Sequence, residues 1–532
     1  MNEDETRLFP TSHPQKPIEV RLSILDATVA RFSATGAIWL FEQTPDIKLN
    51  ETEFINHLRS SFVDTLNEFP HWAGQLQWAP VRTWPGNLGS HTERFNRPMV
   101  VYGEKDDPGV EWKVVRHPSI SVVSLTPSAS ERTSGAGIWI GDDFVQSLFL
   151  SNTSLPLHDL HEFKGLPALQ LQVNLFNDGG YGIGIKIAHS LADAQALMVF
   201  IHNWAAKSRK LFSSSSSSSS SLMKPPILNP SLLDSCAAGD IDGQAPDPGL
   251  ISTARQLPLH RYDWWRINDP GYSHYLIPTT ENSKPSPEIL SQIELSPSIS
   301  GPWTTWDFSR PVRYTQLHYS GPELDRLKER ARADAYGHGH PDSRISRLDA
   351  LLAHIWAIIN RARGHANSTT DEVFLNITLG ARTRVSPPLP ETFIGSPLFL
   401  THIKTSGASA CASNSVGKTA SQIRDTILRF TPDAMGAMLH DAAYEVSPQR
   451  LWQAFLGRQH TLVTSWLRLK VYDVDFVGNS KQQLRYVHAV MPKMDGCLQV
   501  MDPGVDDGGI DIALYLDAEA MEKLLRDRQL HV

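Results

Sequence analysis

Leu169-Gln170-Leu171-Gln172-Val173-Asn174-Leu175, then Asn177-Asp178-Gly179-Gly180, then Tyr181-Gly182-Ile183-Gly184-Ile185-Lys186-Ile187-Ala188-His189 form the most legible unit of the chain. Apolar and polar residues alternate strictly in the first segment, and alternation around an Asp-Gly turn predicts a β-hairpin. On the second strand Ile183, Ile185 and Ile187 share one face, and His189 keeps their parity. Its imidazole is therefore expected to point inward at the strand's end. Beyond it, Ala194, Leu197, Met198, Ile201, Trp204 and Ala205 recur at helical spacing, which predicts an amphipathic helix over 191–206 packed on the sheet.

Outward from this unit, the run of nine serines from Ser213 to Ser221 is the clearest punctuation. With Pro225-Pro226 and a Pro/Gly/Asp-rich tract to Pro248, it is too poor in apolar surface to order itself. It is expected to begin a long crossover, anchored by aromatics such as Trp264 and Trp265, that ends near Asp307. Periodic structure resumes at Val312-Arg313-Tyr314, so the chain divides into 1–212, a connector over 213–310, and 311–532. In the last part Ser320-Gly321-Pro322-Glu323 and Ser346-Arg347-Leu348-Asp349 read as capping boxes that open helices. The apolar stretch with Trp466, Leu467 and Leu469 and the stretch from Ile510 to Leu516 read as strands. The elements read as α/β or α+β, with largely mixed sheets flanked by helices.

The 532 residues, 41% of them hydrophobic, are enough for more than one buried core. A net charge of -8 argues against polynucleotide or anionic membrane as partner. Residues 1–16 lack the basic and apolar regions of a secretory signal, and no apolar run reaches transmembrane length. The three cysteines, Cys236, Cys411 and Cys497, show no CxxC spacing and no companion histidine cluster, so neither disulfides nor a metal site is expected and a cytoplasmic location fits.

His189 to Asp193 reads as His-x-x-x-Asp, but the same residues also fit a core histidine followed by a helix cap, since Ser190-x-x-Asp193 matches a capping box. The pattern occurs again at His338-Gly339-His340-Pro341-Asp342, in a Gly/Pro-containing loop between two predicted helices. That copy reads as a surface loop, because a His-x-His pair there has no evident third metal ligand. Gly417-Lys418-Thr419 ends like a phosphate-binding loop, but Ala412 stands where its first glycine belongs. No Gly-x-Ser-x-Gly elbow occurs.

Further stretches, in order, make the chain resemble the BAHD acyltransferases, in particular the fungal branch that includes trichothecene acetyltransferases. His189-Ser190-Leu191-Ala192-Asp193 resembles the HxxxD signature, Leu22-Ser23-Ile24-Leu25-Asp26 the LSxLD segment, and Phe69-Pro70-His71-Trp72-Ala73-Gly74 the FPxxAG segment. Asp349 to Trp356 resembles the helix after the crossover, and Arg382-Thr383-Arg384-Val385-Ser386-Pro387-Pro388-Leu389-Pro390 the RxRxxPPLP segment. Thr464-Ser465-Trp466 precedes Asp475-Phe476 at the spacing found before the DFGWG motif. Here that motif departs from the pattern: Asp475-Phe476-Val477-Gly478-Asn479 lacks the tryptophan and the closing glycine, and Lys481 suggests a lengthened loop. In a condensation domain the signature would read HHxxxDG, whereas Ala188 and Ala194 occupy those positions, so free acyl-CoA is favoured over a carrier-bound thioester.

The resemblance implies two chloramphenicol-acetyltransferase-like domains with a channel between them, entered by acyl-CoA from one side and an acceptor alcohol or amine from the other. It implies a monomer without a tightly bound cofactor, using acetyl-CoA as co-substrate, with His189 as general base. By the same analogy Trp466 is the candidate oxyanion donor and Thr464 lies near the acceptor. Asp193 is expected to turn away from substrate and hold its loop through an arginine. Asp475 is expected to pair with Arg382, or alternatively with Arg384. The altered DFVGN element leaves open a second reading, a member that binds a metabolite or catalyses a non-transfer reaction in the same channel.

Overall fold

A computed structural model describes the chain except residues 1–2, 13, 32, 44–49, 84–85, 213–223, 293, 300, 302–305, 338–343, 413–414, 452–456, 479–483 and 532. The serine run and the second His-x-x-x-Asp copy lie outside the described residues. The strands of the N-terminal half are β1 (Glu3–Leu8), β2 (Ile18–Arg21), β3 (Thr35–Phe41), β4 (Gln75–Trp78), β5 (Pro98–Tyr102), β6 (Val110–His117), β7 (Ile138–Ile140), β8 (Leu169–Phe176) and β9 (Tyr181–Ile187). Those of the C-terminal half are β10 (Val312–Tyr319), β11 (Glu372–Gly380), β12 (Leu398–Ser406), β13 (His460–Ser465), β14 (Leu484–Ala489), β15 (Cys497–Met501) and β16 (Ile510–Asp517).

The predicted hairpin is β8–β9, antiparallel, with Leu169 opposite Ile187 and Leu175 opposite Tyr181. It lies inside a six-stranded sheet of order β1-β6-β8-β9-β3-β14, in which only β6 and β8 run parallel. Ile183, Ile185 and Ile187 are fully buried, each worth about 1.5–3 kcal/mol of burial. They share a cluster with Phe62, Phe200 and Trp204, supplied by the helices Glu51–Leu66 and Ala194–Phe212. The ring centroids of Phe62 and Trp204 are 5.1 Å apart, edge to face.

The second large sheet has seven strands in the order β12-β11-β13-β15-β16-β10-β7, with β11, β13 and β15 parallel and the other pairs antiparallel. The helices Gly321–Gly337, Arg347–Ala362 and Val416–Leu428 contribute to the core beside it. The capping box at Ser346 and Asp349 is present as expected. A small sheet, β2-β5-β4, completes the set. The architecture is α/β with two mixed sheets flanked by helices.

Each half lends a strand to the other's sheet. β7 pairs with β10, and β14 pairs with β3. The strand pairing therefore crosses the boundaries drawn from composition at 212 and 311.

Three expectations need correction. The tract to Pro248 is packed rather than unordered: Leu233 is fully buried, the Asp234 carboxylate accepts from Ile24 N at 2.9 Å, and Asp242 engages His91 at 2.9 Å. Polar side chains anchor this tract where apolar ones are scarce, a source of order that composition hides. The helix after His189 starts at Ala194, three residues later than its periodicity implied, because Leu191 N bonds back to Ala188 O and closes a turn. Trp466 to Lys470 is not a strand. β13 stops at Ser465, and Arg468 and Lys470 adopt left-handed φ values of 68° and 56° that break an extended run. Among the described residues, no helix is long and apolar enough to cross a membrane.

Candidate active site

β9 delivers the chain to the turn 188–191, and His189 sits in that turn, half-buried, two residues past the last ladder position. Its Nδ1 lies 2.8 Å from the hydroxyl of Ser396, a fully buried residue just ahead of β12. Its own main-chain carbonyl is a second partner of the ring. A carbonyl can only accept, so this contact favours the tautomer with the proton on Nδ1, in which Nε2 is the basic nitrogen. Burial lowers the imidazole below its ordinary value near 6.5, with that carbonyl and the Asp193 carboxylate opposing. A neutral base at pH 7 results.

Asp193 is buried and turned to structure. Its carboxylate forms a bidentate ion pair with Arg382, through NH1 to Oδ2 and through NH2 to Oδ1 at 2.9 Å. The same Oδ1 accepts from Ala196 N at 2.9 Å, which makes Asp193 the cap of the following helix. The expected role of Ser190 in a capping box is not found, since its hydroxyl is buried without a hydrogen-bond partner among the described residues. The Asp193 N–H donates to Gly395 O at 3.0 Å, and Arg382 donates to Phe393 O at 3.1 Å. The segment 393–396 is thus fastened to 189–193 at two points directly and at a third through Arg382.

Arg382 being committed to Asp193, the pairing assigned to it with Asp475 is corrected. Asp475 Oδ1 accepts from Val477 N and Gly478 N, both at 2.9 Å, and its carbonyl accepts from Arg209 at 2.7 Å. Arg384 instead donates to Gly380 O at 2.6 Å. Among the described residues the carboxylate closes its own tight turn, as a short Asp side chain can. Phe476, next to it, is fully buried with its ring 4.4 Å from that of Trp204, so the element is docked on the helix after His189. Asn479 and Lys481 lie outside the described residues.

Trp466 follows the end of β13, is buried, and belongs to the same hydrophobic cluster as Ile187, Ala188 and Leu191. Thr464, on β13, holds its hydroxyl buried and without a hydrogen-bond partner among the described residues. Sequence reasoning missed Ser396 beside the imidazole and Arg209 on the Asp475 carbonyl, neither of which carries a spacing signal.

The profile of the transferase family matches residues 142–245 and 312–530. Acyltransferase AFT15-1 of Alternaria alternata is 26% identical over 99% of this chain and 96% of its own length. Hydroxycinnamoyl-CoA:5-hydroxyanthranilate N-hydroxycinnamoyltransferase HHT4 of Avena sativa is 24% identical over 83% of this chain and 94% of its own. Among solved structures, TRI101 of F. graminearum complexed with coenzyme A and T-2 mycotoxin superposes with a TM-score of 0.63 at 15% identity, over 96% of this chain and 98% of that one.

Proposed function

The chain belongs to the BAHD acyltransferases, and we propose that within this family it moves an acetyl group from acetyl-CoA to a hydroxyl of a hydrophobic secondary metabolite, with His189 as general base. The observation that carries this reading is the setting of His189: its Nδ1 lies 2.8 Å from the Ser396 hydroxyl, and burial lowers the ring below its ordinary value, which favours a neutral base. The TRI101 structure with coenzyme A and T-2 mycotoxin supports acyl-CoA and a small-molecule acceptor. The N-hydroxycinnamoyltransferase relative makes an amine the acceptor class to test beside the alcohol.

In this mechanism Nε2 of His189 takes the acceptor's proton as its oxygen attacks the thioester carbonyl. The carbon–sulfur bond of the tetrahedral intermediate then breaks, and the same proton passes to the departing thiolate, giving free CoA and the ester. No covalent acyl-enzyme forms. The Trp466 indole N–H is the proposed oxyanion donor, a role typically worth about 3–4 kcal/mol. The unpartnered Thr464 hydroxyl is offered to the acceptor. Asp193 with Arg382, and Asp475 within its turn, hold the frame. Cys236, Cys411 and Cys497 are free thiols, which fits the cytoplasmic location we infer.

The test is release of CoA thiol from acetyl-CoA, and from longer acyl-CoAs, in the presence of a panel of alcohols and amines. Wild type should release thiol with an alcohol, and His189→Gln should not. Release with amines alone would move the assignment to N-acylation. CoA-independent conversion of the acceptor would favour the non-transfer reading.

A further inference from the structure

Ser396 does not stand alone beside the histidine. Its N–H donates to Asp26 Oδ1 at 2.5 Å, and the other oxygen of Asp26 accepts from Ser23 N at 2.9 Å and Ser23 Oγ at 2.6 Å. Asp26 is 1% exposed and lies on the short helix Ile24–Thr28, whose Ile24 and Leu25 pack into the C-terminal core. The carboxylate is therefore fixed by three donors and by the helix beneath it. Between it and the histidine turn runs Gly395, with φ of 146°, where an added Cβ would meet Phe393 at 3.0 Å and Asp26 Oδ1 at 3.1 Å. That close approach brings Ser396 against the imidazole.

The geometry points to Ser396 and Asp26 as positioning residues for His189, a support in which a serine of the C-terminal half, anchored on an aspartate of the N-terminal half, fixes the ring's orientation and its Nδ1–H tautomer. The hydroxyl can accept from Nδ1–H at good length, whereas the ring's contact with its own carbonyl is constrained by a short covalent loop. Asp26 bonds to the Ser396 main chain and to Ser23. It acts by fixing the Ser396 main chain, so the hydroxyl keeps one position relative to a turn that belongs to the other sheet. Burial pushes the Asp26 carboxyl up to about 7 against these donors, so near neutral pH it serves less as a counter-ion than as an anchor. A base held in one tautomer needs no rearrangement before it takes a proton.

This inference rests on His189 being the base, and its test is read on the ring itself. The full chain is labelled with 15N-histidine and examined by NMR at pH 8, where the ring is neutral, and the His189 signals are those lost in His189→Gln. Wild type should show a protonated Nδ1 and an unprotonated Nε2. In Ser396→Ala, and in the near-isosteric Ser396→Cys should the alanine variant fail to fold, both nitrogens should shift toward the average of two tautomers. Ser396→Thr, which keeps the hydroxyl, should retain the wild-type pattern, and Asp26→Asn should shift it partway. Unchanged nitrogen shifts in the folded alanine or cysteine variant overturn the inference. Thiol release by His189→Gln at the wild-type rate would overturn the base assignment instead, and the two failures are read in separate measurements.

Discussion

Arg382 reaches back 189 positions to close a bidentate pair on Asp193, so the aspartate of the His-x-x-x-Asp pattern is a clamp between two halves of the chain. Both side chains are buried, which makes the pair costly to break from one side. Arg382→Ala should destabilise the fold by about 3–5 kcal/mol in urea unfolding. Because the lone Asp193 carboxylate is most of that cost, Arg382→Ala with Asp193→Ala should lose less than the sum of the single changes. Additive losses would show that the two do not act as a pair.

Among the described residues the Asp475 carboxylate supports its own turn, and this changes what its removal should do. Asp475→Ala deletes two hydrogen bonds to main-chain N–H groups and should lower stability by about 1–3 kcal/mol. Asp475→Asn keeps an acceptor oxygen and should recover most of the loss. Equal melting of the two variants and wild type would show that the turn does not need the side chain.

How much of this was legible in sequence depends on how local the cause is. The hairpin at 169–187 was readable because period-two alternation and an Asp-Gly turn are written in adjacent residues. The seating of Phe476 on Trp204 and the choice of Asp193 by Arg382 are settled by packing between residues far apart in the chain, which spacing does not encode. The exchange of β7 and β14 between sheets is hidden for the same reason. The helix start was misread by three residues because Leu191 is buried, as a helix face would be, while its N–H closes a turn.

Acid should weaken the C-terminal sheet. His260 and His402 stack with ring centroids 3.9 Å apart, and His460 stacks on Phe374. Burial lowers them to about 4, 3 and 3, helped by Lys404 beside the first two and Arg363 beside the third. Since the folded values lie below the unfolded value near 6.5, the folded chain binds fewer protons. This contribution is complete above pH ~6.5 and is lost as pH falls toward 4, by up to about 1.4 kcal/mol per pH unit for each ring. Urea unfolding at pH 7.5, 6 and 5 should show the decline, and His402→Asn should make it shallower. An identical slope in that variant would remove His402 from the account.

Gly395→Ala tests the close passage beside the site. The added methyl meets Phe393 and Asp26, and φ of 146° is strained for any L side chain, so the variant should be destabilised and should lose thiol release more than Gly165→Ala. Gly165 also has positive φ, but nothing lies within 4 Å of an added Cβ there. Comparable behaviour of the two would mean that the approach of 393–396 to the histidine turn is not close.

The base assignment of His189 is tested most directly by the rate of CoA thiol release from acetyl-CoA with an accepted alcohol, compared between wild type and His189→Gln at equal thermal stability. The account predicts a fall of at least about 10²-fold in kcat, the range of general base catalysis. It also predicts that the acid limb of the wild-type profile lies below pH ~6.5, because burial depresses the imidazole. Thiol release by His189→Gln within a few-fold of wild type would contradict it.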